Sequence, residues 1–281
     1  MKETYAHKVT TSFYLWFDHT LLSKGEAFTN YTSELYYTPD HRVEGALTPY
    51  SSPFKQWVCD SSIPNASIPT IVSGDGVEYG RSEGAIFDFD NGRVMMPAGT
   101  SGAFSGSYAV KDFNVYTVDD NEKTFVLEGN FQINSRYGIT PESGVNPYDY
   151  ALPAAFISSI TLDSKPFALG GEQDSKMKFR AIVMTNDKYN LDGCLSVFKD
   201  MAESHIALVS ASDAPFNEYG DLKSGVYNYE TLIANPERML YLEKVAVTKV
   251  ATDVEQRKNP NLKFGIIDFY LSEPRFPKQD I

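Results

Sequence analysis

The residues able to do chemistry are few, and their spacing assembles no reactive set. The histidines are His7, His19, His41 and His205, and none has another His, Cys or acidic side chain at metal-ligand spacing. His19, within an apolar run, reads as a partly exposed surface histidine rather than a ligand. The two cysteines, Cys59 and Cys194, stand in the apolar surroundings Gln56–Cys59 and Leu191–Leu195. They read as buried free thiols, not as a disulfide framework. The stretch Gly99–Gly106 lacks the Lys-Ser/Thr ending of a phosphate loop and the Gly-x-Ser-x-Gly spacing of a nucleophile elbow, so it reads as a flexible connection. Ser52-x-x-Lys55 and Ser196-x-x-Lys199 match half of a β-lactam-type nucleophile pattern, but its Ser-Asp-Asn and Lys-Thr-Gly companions are missing. The acids around Asp88-x-Asp90-x-Gly92 and Asp119-Asp120-Asn121 suit turns, and neither has the bidentate Glu of a helix–loop–helix calcium site. No enzyme, cofactor or metal site is expected from these residues.

The elements that would position such residues are mostly strands. Ser12 caps a predicted helix over 12–25, with Phe13, Trp16, Phe17 and Leu21 on one face and Gly25 as its stop. Tyr14, Leu15 and Leu22 widen that face beyond one core-facing stripe. The surplus marks Phe13, Tyr14, Trp16, Phe17, Leu21 and Leu22 as candidates for a subunit interface. Prolines punctuate residues 30–80 and leave room only for short extended pieces. Asn91-Gly92 between Gly84–Asp90 and Arg93–Met96 predicts a hairpin, with Asn-Gly supplying two positive-φ turn positions. A second hairpin is expected from Asp112–Val118 and Thr124–Ile133. Residues 134–153 read as a long loop of the kind that meets partners, with Tyr137, Tyr148 and Tyr150 as further interface candidates. Beyond it come strands at Ala155–Leu162 and Lys176–Thr185, an amphipathic helix over 187–203, a strand near His205–Val209, and a final strand pair, Met239–Thr252 with Leu262–Leu271. The expected class is α+β and β-rich, built of antiparallel sheets and hairpins with an N-terminal helix and a helix near 187–203.

Composition sets the bounds. The chain has 281 residues, 25 Lys+Arg against 37 Asp+Glu, and a formal net charge of -12. Such a surface does not grip nucleic acid or anionic lipid by neutralising phosphates. Residues 1–150 hold 19 acids and 10 bases, whereas 151–281 hold 18 and 15. That asymmetry suggests a β-rich acidic region at 1–150 and an α+β region at 151–281, either separate or one continuous domain. The aromatic share of 14% favours β structure and large contact surfaces. The first eight residues have no apolar core of signal-peptide type, and no run reaches the length of a membrane span, so no membrane partner is expected.

Three segments carry a resemblance: Ser12–Asn30 (SFYLWFDHTLLSKGEAFTN), Pro49–Asp60 (PYSSPFKQWVCD) and Ile86–Val94 (IFDFDNGRV). They resemble segments of virion structural proteins of tailed bacteriophages, of the neck, collar or tail-completion type at the head–tail junction. The resemblance implies a six- or twelve-fold ring of this chain with itself, contacts with portal/connector and tail proteins, and location in the virion after assembly in the host bacterial cytoplasm. DNA would be a passing molecule, repelled without specificity by an acidic lumen. The alternatives are a β-sandwich carbohydrate-binding or adhesin module, which needs Trp16 or Trp57 exposed, and a virion glycosidase, which needs two carboxyls facing across a cleft.

Overall fold

The computed structural model describes residues 5–41, 45–74, 76–118, 131–134, 150–167, 171–210, 212–216, 225–236, 238–250 and 262–276. The chain opens with helix α1 (Tyr5–Lys24), then strands β1 (Phe28–Tyr37), β2 (Leu47–Ser51), β3 (Ile71–Gly74) and β4 (Val77–Gly80). A single 3-10 turn, Arg81–Glu83, leads to β5 (Ile86–Asp88), β6 (Arg93–Pro97), β7 (Phe104–Lys111) and β8 (Asn114–Thr117). Then come β9 (Phe131–Ile133), β10 (Tyr150–Leu152), β11 (Ala154–Pro166), β12 (Gln173–Thr185), α2 (Lys188–Lys199) and β13 (His205–Ala207). The short helix α3 (Tyr229–Leu232) precedes β14 (Met239–Val250) and β15 (Lys263–Arg275). The strands form a seven-stranded sheet ordered β4-β3-β7-β1-β2-β6-β5, a six-stranded sheet ordered β13-β14-β15-β12-β11-β8, and the parallel pair β10-β9. The molecule is β-rich and largely antiparallel with few helices, in the class the sequence pattern indicates.

Helix α1 lies between the two sheets, and its composition explains why. Val9, Phe13, Leu15, Trp16, Phe17, Leu21 and Leu22 point to every side of the helix and are all buried, as expected of a helix apolar all round. Phe13 stacks on Phe179 of β12 at 4.4 Å, and Phe17 stacks on Phe198 of α2 at 4.0 Å. Phe269 of β15 meets Phe13 and Phe198 edge-on, completing a cluster in which ring quadrupoles favour these offset and T-shaped contacts. On another side, Leu22 packs with Val58, Ile63 and Ala109. The largest core cluster runs from Val9 to Leu271 and draws on both regions, 1–150 and 151–281.

Several local expectations are revised. The first helix begins at Tyr5, so Ser12 is interior and not a cap; its Oγ donates to Lys8 O at 2.8 Å and accepts from Val209 N–H at 2.9 Å. The helix does end before Gly25, where a Cβ would sit 2.6 Å from Leu21 O; the left-handed residue is Glu26, at φ 48°. The Asn91-Gly92 hairpin forms, but Asp88 pairs with Arg93 across a four-residue loop in which Gly92, at φ 60°, alone is left-handed. Strand β8 pairs in parallel with β11, from Asn114–Ala154 to Thr117–Ile157. The Asp119–Lys123 turn and Thr124–Asn130 of the expected second hairpin lie outside the described residues, as does 135–149 of the long loop. Helix α2 is capped by Asp187, whose carboxylate accepts the Asn190 N–H at 2.7 Å, and it buries Leu191, Cys194, Leu195 and Phe198.

Candidate functional site

The helix patch marked as a subunit interface is interior. Phe13, Trp16, Phe17, Leu21 and Leu22 are buried within this chain, and the half-buried Tyr14 donates its hydroxyl to Val115 O at 3.2 Å. Tyr137 and Tyr148 lie outside the described residues. Tyr150 is half-buried against Phe131, Tyr116 and Phe156, on the side of the six-stranded sheet away from α1. The apolar surplus that suggested a neighbour is consumed by the second layer around the central helix.

Buried and half-buried polar groups hold the body together, and of these His19, Cys59 and Asp88 stood out in the sequence as chemistry. Lys111 on β7 donates to both carboxylate oxygens of Asp18 at 2.8 Å, and both side chains are buried. Burial works against the Lys111 charge, but the ionisable groups around it, the Asp18 carboxylate first among them, together outweigh that and raise the lysine above its ordinary range. His19 Nδ1 lies 2.7 Å from Asp60 Oδ2, while Asp60 Oδ1 accepts the Ser62 hydroxyl at 2.6 Å and the Tyr229 N–H at 3.0 Å. Burial alone would raise the Asp60 carboxyl; hydrogen bonds from His19, Ser62 and Tyr229 outweigh it and hold the group below its usual range. Burial pushes the Cys59 thiol up to about 12, far from a reactive thiolate. Asp88 of the hairpin accepts from Arg93 Nε at 2.7 Å and Asn91 Nδ2 at 2.9 Å. Arg93 also reaches Asp40 at 2.7 Å. Among the described residues no three His, Cys, Asp or Glu side chains are placed to share a metal ion, and no helix is long and apolar enough to cross a membrane.

Trp16 and Trp57 are both buried, so neither indole offers a platform for a sugar ring. A cleft of about 480 Å³ opens beside the 3-10 turn, with Phe87 and Phe89 beneath Arg81, Glu78 and Glu83. Its Glu83 carboxylate accepts the Gly80 N–H at 2.7 Å and so serves the turn itself.

The unsatisfied surface is at the two edges of the six-stranded sheet. Among the described residues, strand β8 covers β11 only along Ala154–Ile157, and beyond it Ser158–Pro166 pair with β12 on one side alone. Ile160 and Leu162 stand there 42% and 45% exposed. At the opposite edge, β13 covers β14 only along Met239–Tyr241, and Lys244–Val250 pair with β15 alone among the described residues. Unpaired strand edges are templates for another strand, which ordinary monomers keep short or cover. The sequence carried one signal of this, the alternation of apolar and polar residues in Ile160-Thr161-Leu162-Asp163-Ser164-Lys165, which says strand but not edge.

The segments Ser12–Asn30, Pro49–Asp60 and Ile86–Val94 meet in space. His19 of the first contacts Asp60 of the second. The N–H groups of Ser52, Gln56 and Trp57 donate to the carbonyls of Gly92, Asp90 and Phe89, in or beside the third, at 2.8–3.1 Å. They therefore form one contiguous unit. No protein-family model matches this chain, and no curated protein matches it.

Proposed function

We propose that this chain has a structural rather than catalytic role in a tailed-phage virion. In this reading it assembles with copies of itself into a ring at the head–tail junction, between portal/connector and tail proteins. The observation that carries the reading is the pair of stretches on opposite edges of one sheet, Ser158–Pro166 and Lys244–Val250, that pair on one side alone among the described residues. Two different patches on one subunit, each complementary to the other, are what a heterologous, head-to-tail contact needs, and such contacts generate rings when the rotation closes. The contiguous unit formed by the three resembling segments supports the placement in a phage virion. The acidic surplus of residues 1–150 suits a surface past which DNA moves without being held.

Light scattering of the purified protein across a concentration series tests the reading, alone and with portal or tail proteins. A multimer of fixed order that joins one of those proteins is the expected result. A chain that stays monomeric at every concentration and joins neither would overturn it.

A further inference from the structure

We infer that the two open edges are the two halves of one interface: β11 of one copy pairs antiparallel with β14 of the next, so that the six-stranded sheet runs on from subunit to subunit. This deepens the ring reading above and rests on it. Strand direction permits the contact. Each step from β11 through β12 and β15 to β14 is antiparallel, so β11 and β14 run in opposite directions. A neighbour brought alongside with its strands aligned thus presents β11 antiparallel to β14.

Side-chain chemistry then selects a register. Leu162 lies in the row Leu162–Met177–Leu271–Leu242, whose other three members are buried on the side facing α1. Val245 pairs with Phe269 and shares that side. Asp163 and Lys244 point to the opposite side, aligned with Lys176 and Tyr270 respectively. Because side chains alternate, only shifts of two residues keep the apolar positions on the apolar side. Setting Leu162 opposite Val245 places Asp163 opposite Lys244 and Thr161 opposite Ala246. A shift of two residues one way sets Lys165 against Lys244, a like-charge pair that destabilises a sheet. The same shift the other way carries Asp163 onto Leu242, whose N–H and C=O already bond Ser204 O and Glu203 N–H at 2.9 Å. Charge complementarity and sheet parity therefore agree on one register. Pro166, with no N–H to donate, and the bulge between Ser159 and Thr161 confine the pairing to a short stretch.

The test uses the full chain with exposed residues changed. Asp163→Lys and Lys244→Asp are each expected to raise the concentration needed for half-assembly by about tenfold, and the double reversal to restore it. Independently, a chain carrying both Asp163→Cys and Lys244→Cys should give, under mild oxidation, a ladder of covalent multimers on a denaturing gel. Either single-cysteine chain should give none, because directly opposed Cβ atoms in an antiparallel pair lie within disulfide reach. Unchanged thermal unfolding of the variants shows that they fold. If the wild type is multimeric while both single reversals assemble normally and the cysteine pair gives no ladder, the edge pairing is overturned and the ring reading stands on another interface. If the wild type is monomeric throughout, both fall.

Discussion

Lys111 and Asp18 are joined by two hydrogen bonds of 2.8 Å in the interior, tying the seven-stranded sheet to the central helix. Both side chains are almost fully buried, at 5% and 1% exposure, so neither charge can recover its hydration by a small movement. Removing one partner leaves the other buried and uncompensated, at a cost of about 3–5 kcal/mol. Asp18→Ala should therefore lower the urea midpoint sharply. Asp18→Leu with Lys111→Met, which removes both charges, should recover most of the loss. Equal losses in the single and double variants would show that the pair is not the tie described.

The aromatic cluster gives a second prediction. Phe17 is fully buried and stacks on Phe198 at 4.0 Å. Phe17→Ala should cost about 3–5 kcal/mol by leaving a cavity that the stacked rings cannot close. Equilibrium unfolding measures it, and a loss below about 1 kcal/mol would mean that the helix is not central to the core.

Asp60 should impose an acid-side dependence of stability. Its folded pKa lies below the ordinary carboxylate value, so between the two the unfolded chain binds more protons than the folded one. The stabilisation it gives is complete above the unfolded pKa and is lost as pH falls through the folded one. Urea midpoints measured from pH 6 down to about pH 2 should fall more steeply for the wild type than for Asp60→Asn. Parallel curves would contradict the His19–Asp60–Tyr229 tie.

The thiols should be silent in the native state. Cys59 and Cys194 are both buried, and Cys59 is raised to about 12. A thiol reagent at neutral pH should label neither until denaturant is added, and then both. Rapid native labelling of either would contradict their burial.

Much of the scaffold was legible in the sequence because it rests on local pattern. The β-prone runs at Ala155–Leu162 and Lys176–Thr185, the Asn91-Gly92 turn and the amphipathic face of α2 each carry their own signal. The sheet order and the position of α1 do not. A helix apolar on all sides is compatible with a subunit interface or with a two-sided core, and only the strands that arrive from residues 104–111 and 173–275 decide which. For the same reason Ser12 was read as a cap, although its hydroxyl joins α1 to Val209. The edges were hidden because pairing is a property of the neighbouring strand: nothing within Ser158–Pro166 says that, among the described residues, β8 accompanies β11 only to Ile157.

The central claim, a closed ring of identical chains, is tested most directly by electron microscopy of the purified protein. Class averages are expected to show closed rings of one rotational order, six- or twelve-fold. Single 31.4 kDa particles, or open filaments without closure, would contradict it.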